Sequence, residues 1–373
     1  MKHFFKKDFS HKTKKISLCL VLVLSLSQVF SACGKTKNRD SHATPIKNNV
    51  NSITVLNYGK YMDEDVIKKF EKETGIHIKY EEYENPEEMY TKYKSGSIKY
   101  DVICTSEYMI QKLMSENELK KIDFKKLSNY NNIDSNVLEL NQSYDSKNQY
   151  ALPYFYGTLG ILYDTKKVSK ADVQSWNCLW NKKYNNEIIM ENSVRDTFAA
   201  ALKKLNYSIN DTNPKHLNKA LSILEKQKEH VYAYMVDETA DEMVAGNAKI
   251  ALCYSGEAAT AMESKSSLAY TVPKEGSNVW VDSWFIPKTC KSKQNAIKFL
   301  DFLCRDDIAT ANFDYVYYAS PIKSVVKKQP KDVLENEAVF PSKKTLENCE
   351  IFTMLNQKTT DYYSDLWMKL KAY

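Results

Sequence analysis

The sequence predicts an α/β protein of two lobes, each a mostly parallel sheet flanked by helices. Two observations lead there. Short runs rich in β-branched and aromatic residues alternate with amphipathic helical patterns, and this alternation occurs twice along the chain. About 320 residues follow the first 52, a length that suits two domains.

In the first alternation, Ile53–Asn57 reads as a strand. Asp63 follows as a helix N-cap, with Val66, Ile67 and Phe70 on one face and Gly75 as the stop. Ile76–Tyr80 is the next strand, Pro86–Lys94 a helix, Tyr100–Cys104 a strand and Tyr108–Glu116 a helix. Ligands of parallel sheets sit beyond the C-terminal strand ends. That singles out two loops, Asn57-Tyr58-Gly59-Lys60-Tyr61 and Thr105-Ser106-Glu107-Tyr108. Both are rich in hydroxyls, although in a chain with 26 Tyr a loop tyrosine alone says little.

Tyr154–Tyr163 is an extended run with two glycines that suits a crossing between lobes. The second alternation has a strand at Glu187–Met190 and a helix capped by Ser193 that ends near Leu205. A helix opened by Pro214 follows, then one at Asp237–Ala245, a strand at Ile250–Tyr254 and a helix opened by Gly256-Glu257. After a strand at Asn278–Ile286 comes a long helix with Ala296, Ile297, Leu300 and Leu303 on one face. Thr359–Leu370 is the last helical pattern.

The strand at Asn278–Ile286 is the unusual one. Period-two alternation puts Trp280, Asp282 and Trp284 on one face. A carboxylate between two indoles either lies in solvent on an edge strand or is buried, and a buried charge without a partner costs several kcal/mol. An aromatic wall with one anionic point suits an amine, through cation–π attraction and charge-assisted hydrogen bonds.

At the N-terminus six lysines precede an apolar run from Ile16 to about Phe30, shorter than a typical membrane span. The run ends in Phe30-Ser31-Ala32-Cys33-Gly34, which resembles the lipobox of bacterial lipoproteins; Phe30 departs from the aliphatic residue usual there. The resemblance implies a signal peptide over residues 1–32, a lipid anchor on Cys33 and a place on the extracytoplasmic face of the cell membrane. Residues 33–52 are polar and predict a flexible tether. Residues 1–32 hold six Lys and one Asp, so a chain of net charge +6 leaves a body near +1, with no basic block to hold nucleic acid.

Cys104, Cys178, Cys253, Cys290, Cys304 and Cys349 form no C-x-x-C pair and stand at no metal-ligand spacing from a His. They read as buried free thiols, with disulfides the alternative in an exported protein. His42, His77, His216 and His230 are isolated, and no phosphate-binding glycine loop is present. Ser324-Val325-Val326-Lys327 matches S-x-x-K but lacks its companion motifs. These residues predict no enzyme, no metal and no cofactor.

Taken in order, a series of short motifs resembles the spermidine/putrescine-binding proteins, the extracytoplasmic receptors of polyamine ABC importers. The motifs are Asn57-Tyr58-Gly59-Lys60-Tyr61, Glu71-Lys72-Glu73-Thr74-Gly75-Ile76, Tyr100-Asp101-Val102-Ile103 with Ser106 and Tyr108, and Pro153-Tyr154. Arg195-Asp196, the run from Ala201 to Asn210, Tyr254-Ser255-Gly256, Pro273-Lys274-Glu275-Gly276, Trp280-Val281-Asp282-Ser283, and Tyr318 with Pro321 complete them. The resemblance runs from about Ser52 to the C-terminus. It implies a periplasmic-binding-protein-like fold, hinged to close over its ligand. The N-lobe would comprise residues 53–159 and 283–326, and the C-lobe residues 160–282 and 327–373. It further implies a monomer that captures spermidine and/or putrescine in an aromatic and acidic cleft and delivers it to an ABC permease.

Carried over residue by residue, Tyr61, Ser106, Tyr108, Trp280, Asp282 and Tyr318 match family binding positions, with Asp282 as main ammonium acceptor. Tyr58 and Tyr254 stand where the family carries Trp, and Asp196 stands for an acidic residue that takes an amine. Gly59 lies in the same loop as Tyr58. Lys60 sits where the family commonly shows an acidic residue, and Ser193 where it shows an Asp; Glu257 is a candidate replacement carboxylate. The rival readings are a receptor for another small cation or for ferric ion, using the adjacent Tyr317-Tyr318, and a surface adhesin or enzyme, which no sequence feature supports.

Overall fold

The computed structural model describes residues 51–373 apart from Asp237; the expected signal peptide, Cys33 and nearly all of the tether lie outside the described residues. Among the described residues nine strands form one sheet: β1 (Ser52–Tyr58), β2 (His77–Tyr83), β3 (Val102–Thr105), β4 (Leu152–Asp164), β5 (Ile188–Glu191), β6 (Val231–Met235), β7 (Ile250–Tyr254), β8 (Leu268–Thr271) and β9 (Val279–Phe285). Their order is β2-β1-β3-β9-β4-β7-β5-β6, with β8 also paired to β4.

The sheet is mixed, which corrects the expectation of mostly parallel sheets. The outer pairs β1/β2, β1/β3, β5/β6 and β5/β7 are parallel. At the centre β9 and β4 run antiparallel to all their neighbours. The physical reason is the length of β4. Its thirteen residues are all buried, and at strand rise they span about 43 Å. The strand pairs first with β9, up to Thr158 opposite Val279, and then with β7, from Leu159 opposite Tyr254. Alternating hydrophobicity predicts that such a strand exists but not which neighbours it takes.

The helices that flank the strands among the described residues include α1 (Glu64–Thr74), α2 (Pro86–Ser95), α3 (Glu107–Ser115), α4 (Ser135–Gln142), α5 (Val194–Lys204), α6 (Pro214–Lys228), α7 (Thr239–Ala245), α8 (Ser255–Ser264), α9 (Lys293–Leu303) and α10 (Asp306–Val316); short helices follow α10, and a long one, Gln357–Ala372, lies near the C-terminus. The ends of α1 follow from local chemistry. The Asp63 side chain accepts from Asp65 N–H, and Gly75, at φ 67°, donates its N–H to Glu71 O. Four elements go beyond the sequence expectation: α4, β6, β8 and α10. The last of these has no glycine stop and ends on Tyr317 in the left-handed conformation, at φ 62°.

Two apolar clusters take alternate residues of the central strands. Leu162, Ile189, Ala251 and Cys253 join one, whereas Ile161, Tyr163, Ile188, Met190, Ile250 and Leu252 join the other. Period-two alternation therefore buries both faces, each fully buried Ile or Leu contributing about 1.5–3 kcal/mol. The six cysteines among the described residues are free thiols, buried except for the half-buried Cys349. Among the described residues no helix is long and apolar enough to cross a membrane.

Candidate ligand-binding site

The site assembles at the C-terminal ends of two parallel strand pairs, β1/β3 and β5/β7. The β1 end supplies Tyr58 and Tyr61, β3 leads through Ser106 into α3, β5 leads through Ser193 into α5, and β7 leads through Tyr254 into α8. Each of these helices carries a carboxylate in its first turn: Glu107, Asp196 and Glu257. The positive end of a helix dipole favours a negative side chain there, which offsets part of the cost of burying it.

Asp282 lies at the centre. The structure excludes the edge-strand alternative, because β9 is fully buried between β3 and β4. Asp282 is 9% exposed. Its Oδ1 accepts from the Tyr58 hydroxyl at 3.3 Å and its Oδ2 from the Tyr61 hydroxyl at 2.8 Å. Burial pushes its pKa up to about 6, and the two phenols hold it from rising further. No lysine or arginine among the described residues forms an ion pair with it.

Aromatic rings close round this carboxylate. Tyr61 meets Tyr58, Tyr154, Phe155 and Tyr318 edge-on, at centroid distances of 5.3–5.7 Å. Trp280 meets Tyr318 at 5.5 Å, and its buried Nε1 has no hydrogen-bond partner. Two glycines make the approach possible. A Cβ on Gly157 would lie 2.4 Å from the Trp280 ring, and one on Gly256 would lie 1.6 Å from that of Tyr318. Trp284, on the same face of β9 as Asp282 by period-two alternation, packs against Tyr154 and Phe299.

A second carboxylate, Asp196, is 4% exposed. Its Oδ2 accepts from Ser193 at 2.5 Å and from the Tyr254 hydroxyl at 2.7 Å, while its Oδ1 is buried with no hydrogen-bond partner. Ser193 occupies the N-cap position of α5 without capping it, its hydroxyl serving Asp196. Burial raises the Asp196 pKa; Ser193, Tyr254 and Arg195 oppose the rise.

The remaining sequence candidates are placed as follows. Ser106 is buried at the start of α3 and does not cap that helix. Tyr108 is half-buried, and its hydroxyl donates to Glu87 on α2 at 3.1 Å. Glu257 is half-buried and lies 3.6 Å from the Cys253 thiol. Gly59 and Lys60 are exposed. Lys60 adopts φ 56° and donates its backbone N–H to Glu82 Oε1, so the turn is pinned from outside the aromatic cluster. Lys60→Glu is therefore expected to change spermidine affinity less than about threefold, the change vanishing in high salt, as for a solvated rim charge. Calorimetry at two ionic strengths checks this, and a larger, salt-insensitive gain would place the ammonium inside the site.

Glu107, which the sequence marks only as part of a loop, is among the most buried carboxylates here, at 1% exposure. A glutamate in the first helical turn is usually solvated, so the spacing carries no warning. Adjacent Tyr317 and Tyr318 do not act as a pair: Tyr317 caps α10 and packs on Phe313, while Tyr318 faces Trp280. Among the described residues no group of three His, Cys, Asp or Glu is placed to hold a metal.

The chain matches the family described as bacterial extracellular solute-binding protein over residues 65–341. It is 32% identical over 325 residues to the spermidine/putrescine-binding periplasmic protein of Escherichia coli, covering 86% of this chain and 92% of that one. To the putrescine-binding periplasmic protein SpuD of Pseudomonas aeruginosa it is 27% identical, with coverage of 86% and 92%. The crystal structure of the spermidine/putrescine ABC transporter substrate-binding protein PotD from Streptococcus pneumoniae aligns with a TM-score of 0.80 at 35% identity, covering 87% of this chain and 99% of that one. The fold is accordingly periplasmic-binding-protein-like. The chain belongs to the spermidine/putrescine-binding protein family of bacterial extracellular solute-binding proteins, a family of binders rather than enzymes.

Proposed function

We propose that the protein is the extracytoplasmic receptor of a polyamine ABC importer, capturing spermidine and/or putrescine and delivering it to the permease. The observation that carries this reading is Asp282, a buried carboxylate gripped by two phenols, walled by aromatic rings and, among the described residues, in no ion pair with a lysine or arginine. An alkylammonium completes such a site. Its charge offsets the desolvation of Asp282, its N–H groups donate to the carboxylate, and its methylenes lie against Trp280, Tyr61 and Tyr318. Asp196, with Ser193 and Tyr254, takes the ammonium at the other end. Tyr58, Ser106 and Tyr108 line the cleft, Glu257 adds negative charge beside it, and Gly59 and Lys60 form its rim.

Capture proceeds by hinge closure of two lobes, an N-lobe of residues 53–159 and 283–326 and a C-lobe of 160–282 and 327–373. The Ser31-Ala32-Cys33 sequence supports a diacylated Cys33 that holds the receptor, as a monomer, at the outer face of the cell membrane. Cys33→Ser is expected to leave uncleaved precursor or shed protein; acylated, membrane-bound Cys33→Ser chains in a fractionation with mass spectrometry would refute the anchor.

The functional test is a thermal-shift panel of putrescine, spermidine, spermine, ferric citrate and cationic amino acids. A ligand at 1,000 times its Kd stabilises by about 4 kcal/mol, a shift of several degrees. Stabilisation by polyamines supports the reading. A shift with ferric citrate or amino acids and none with any polyamine overturns it.

A further inference from the structure

Glu107 opens α3, and its Oε2 accepts from the Val281 N–H of β9 at 3.3 Å. It sits where β3 has stopped: Thr105, the last residue of β3, pairs with Ser283, so Val281 lies beyond that ladder. No side-chain cation forms an ion pair with Glu107 among the described residues. Asp282 on β9 and Asp196 on α5 both bring negative charge to bear on it. Arg195 on α5 reaches it only as a distant charge, its guanidinium donating to Thr353 O and Asn210 and lying 4.3 Å over the Phe352 ring. Tyr108 and Tyr144 are the other titratable groups that face it.

Glu107, bound to the N–H of the residue before Asp282, joins Asp282 and Asp196 as a third buried carboxylate, one more than the two amines of a diamine need. We propose that Glu107 is a specificity-determining ligand residue, which pairs with the middle amine of a linear triamine while Asp282 and Asp196 hold its ends. The inference rests on the polyamine reading above and names the substrate class within it.

The protonation of Glu107 gives the idea a separate signature. Burial, then the charges of Asp282 and Asp196, push its pKa up to about 8, while backbone N–H groups hold it back. At pH 7 the free protein therefore carries Glu107 mostly as the acid. An arriving ammonium stabilises the carboxylate, and the proton leaves to the buffer. Triamine affinity should rise with pH until Glu107 is ionised in the free protein, at about pH 8. Stability runs the other way. A carboxyl group whose folded pKa is raised destabilises the free protein as pH climbs from its ordinary range near 4.5 to about 8.

The experiment is calorimetry of the full protein with putrescine and spermidine at pH 7, in buffers of low and high ionisation enthalpy. Wild type, Glu107→Gln and Glu107→Thr are compared. Wild type is expected to release protons with spermidine and fewer with putrescine. Glu107→Gln should lower the preference for spermidine by roughly tenfold, leave putrescine within about threefold and lose the buffer-dependent heat. Free Glu107→Gln should also melt higher than wild type at pH 8. An unchanged preference and proton release, or equal losses for both ligands as expected of a residue that merely caps Val281, overturns the inference and leaves the polyamine reading standing. Failure of wild type to bind either amine overturns the reading itself. If Glu107→Gln does not fold, Glu107→Thr and the wild-type proton count decide.

Discussion

Asp282→Asn is expected to lose polyamine binding while keeping its fold. The substitution preserves shape and leaves an acceptor for one of the two phenols, so the buried β9 strand is not disturbed. The charge that meets the ammonium is gone. Removing one partner of a desolvated charge pair costs about 2–5 kcal/mol, roughly thirty- to several-thousand-fold in Kd. The same carboxylate predicts a pH dependence. Its pKa in the free protein is pushed up to about 6 by burial, so below that value a proton competes with the ligand and affinity falls by about tenfold per pH unit. For the free protein the sign is opposite. Ionising Asp282 costs stability between its ordinary value near 3.8 and about 6, so the free Asn variant should be at least as stable as wild type at pH 7. Calorimetry with spermidine from pH 5 to 8, beside melting curves of both proteins, checks all three points. Unchanged affinity in folded Asp282→Asn would remove Asp282 from the site.

How far the site was legible depends on which physical effect placed each residue. Asp282 and Trp280 were visible because period-two alternation is rigid and a carboxylate among indoles is costly. Trp284 obeys the same alternation yet belongs to the core. It lies opposite Leu152 and packs on Phe299. The cap and stop of α1 were readable from Asp63 and Gly75, since both act within one helical turn. The antiparallel centre was not readable, because the partners of β4 and β9 are chosen by contacts more than eighty residues apart in sequence. Glu107 was hidden for a related reason: what buries it is the early end of β3 beside Val281.

Gly256→Ala is expected to weaken binding by roughly tenfold or more without adding or removing any charge. Gly256 is the second residue of α8 and has no left-handed backbone, so alanine suits the helix and gains about 1 kcal/mol of propensity there. The obstacle is Tyr318, whose ring atoms lie 1.6–2.3 Å from where the new Cβ would be. The ring is a half-buried side chain on the loop after α10, whereas Gly256 lies in the backbone of a regular helix. Tyr318 therefore leaves, and with it go its edge-on contacts to Tyr61, Phe155 and Trp280. Each such aromatic pair is worth about 0.5–1.5 kcal/mol, and a ring face over a desolvated ammonium about 2 kcal/mol. The comparison that isolates this cause is Tyr318→Ala, alone and combined with Gly256→Ala. If the glycine acts only by seating the ring, the double variant binds no worse than Tyr318→Ala, so the two losses do not add. Additive losses would mean that α8 itself has moved, and wild-type affinity in Gly256→Ala would mean that Tyr318 stands outside the wall that meets the ligand.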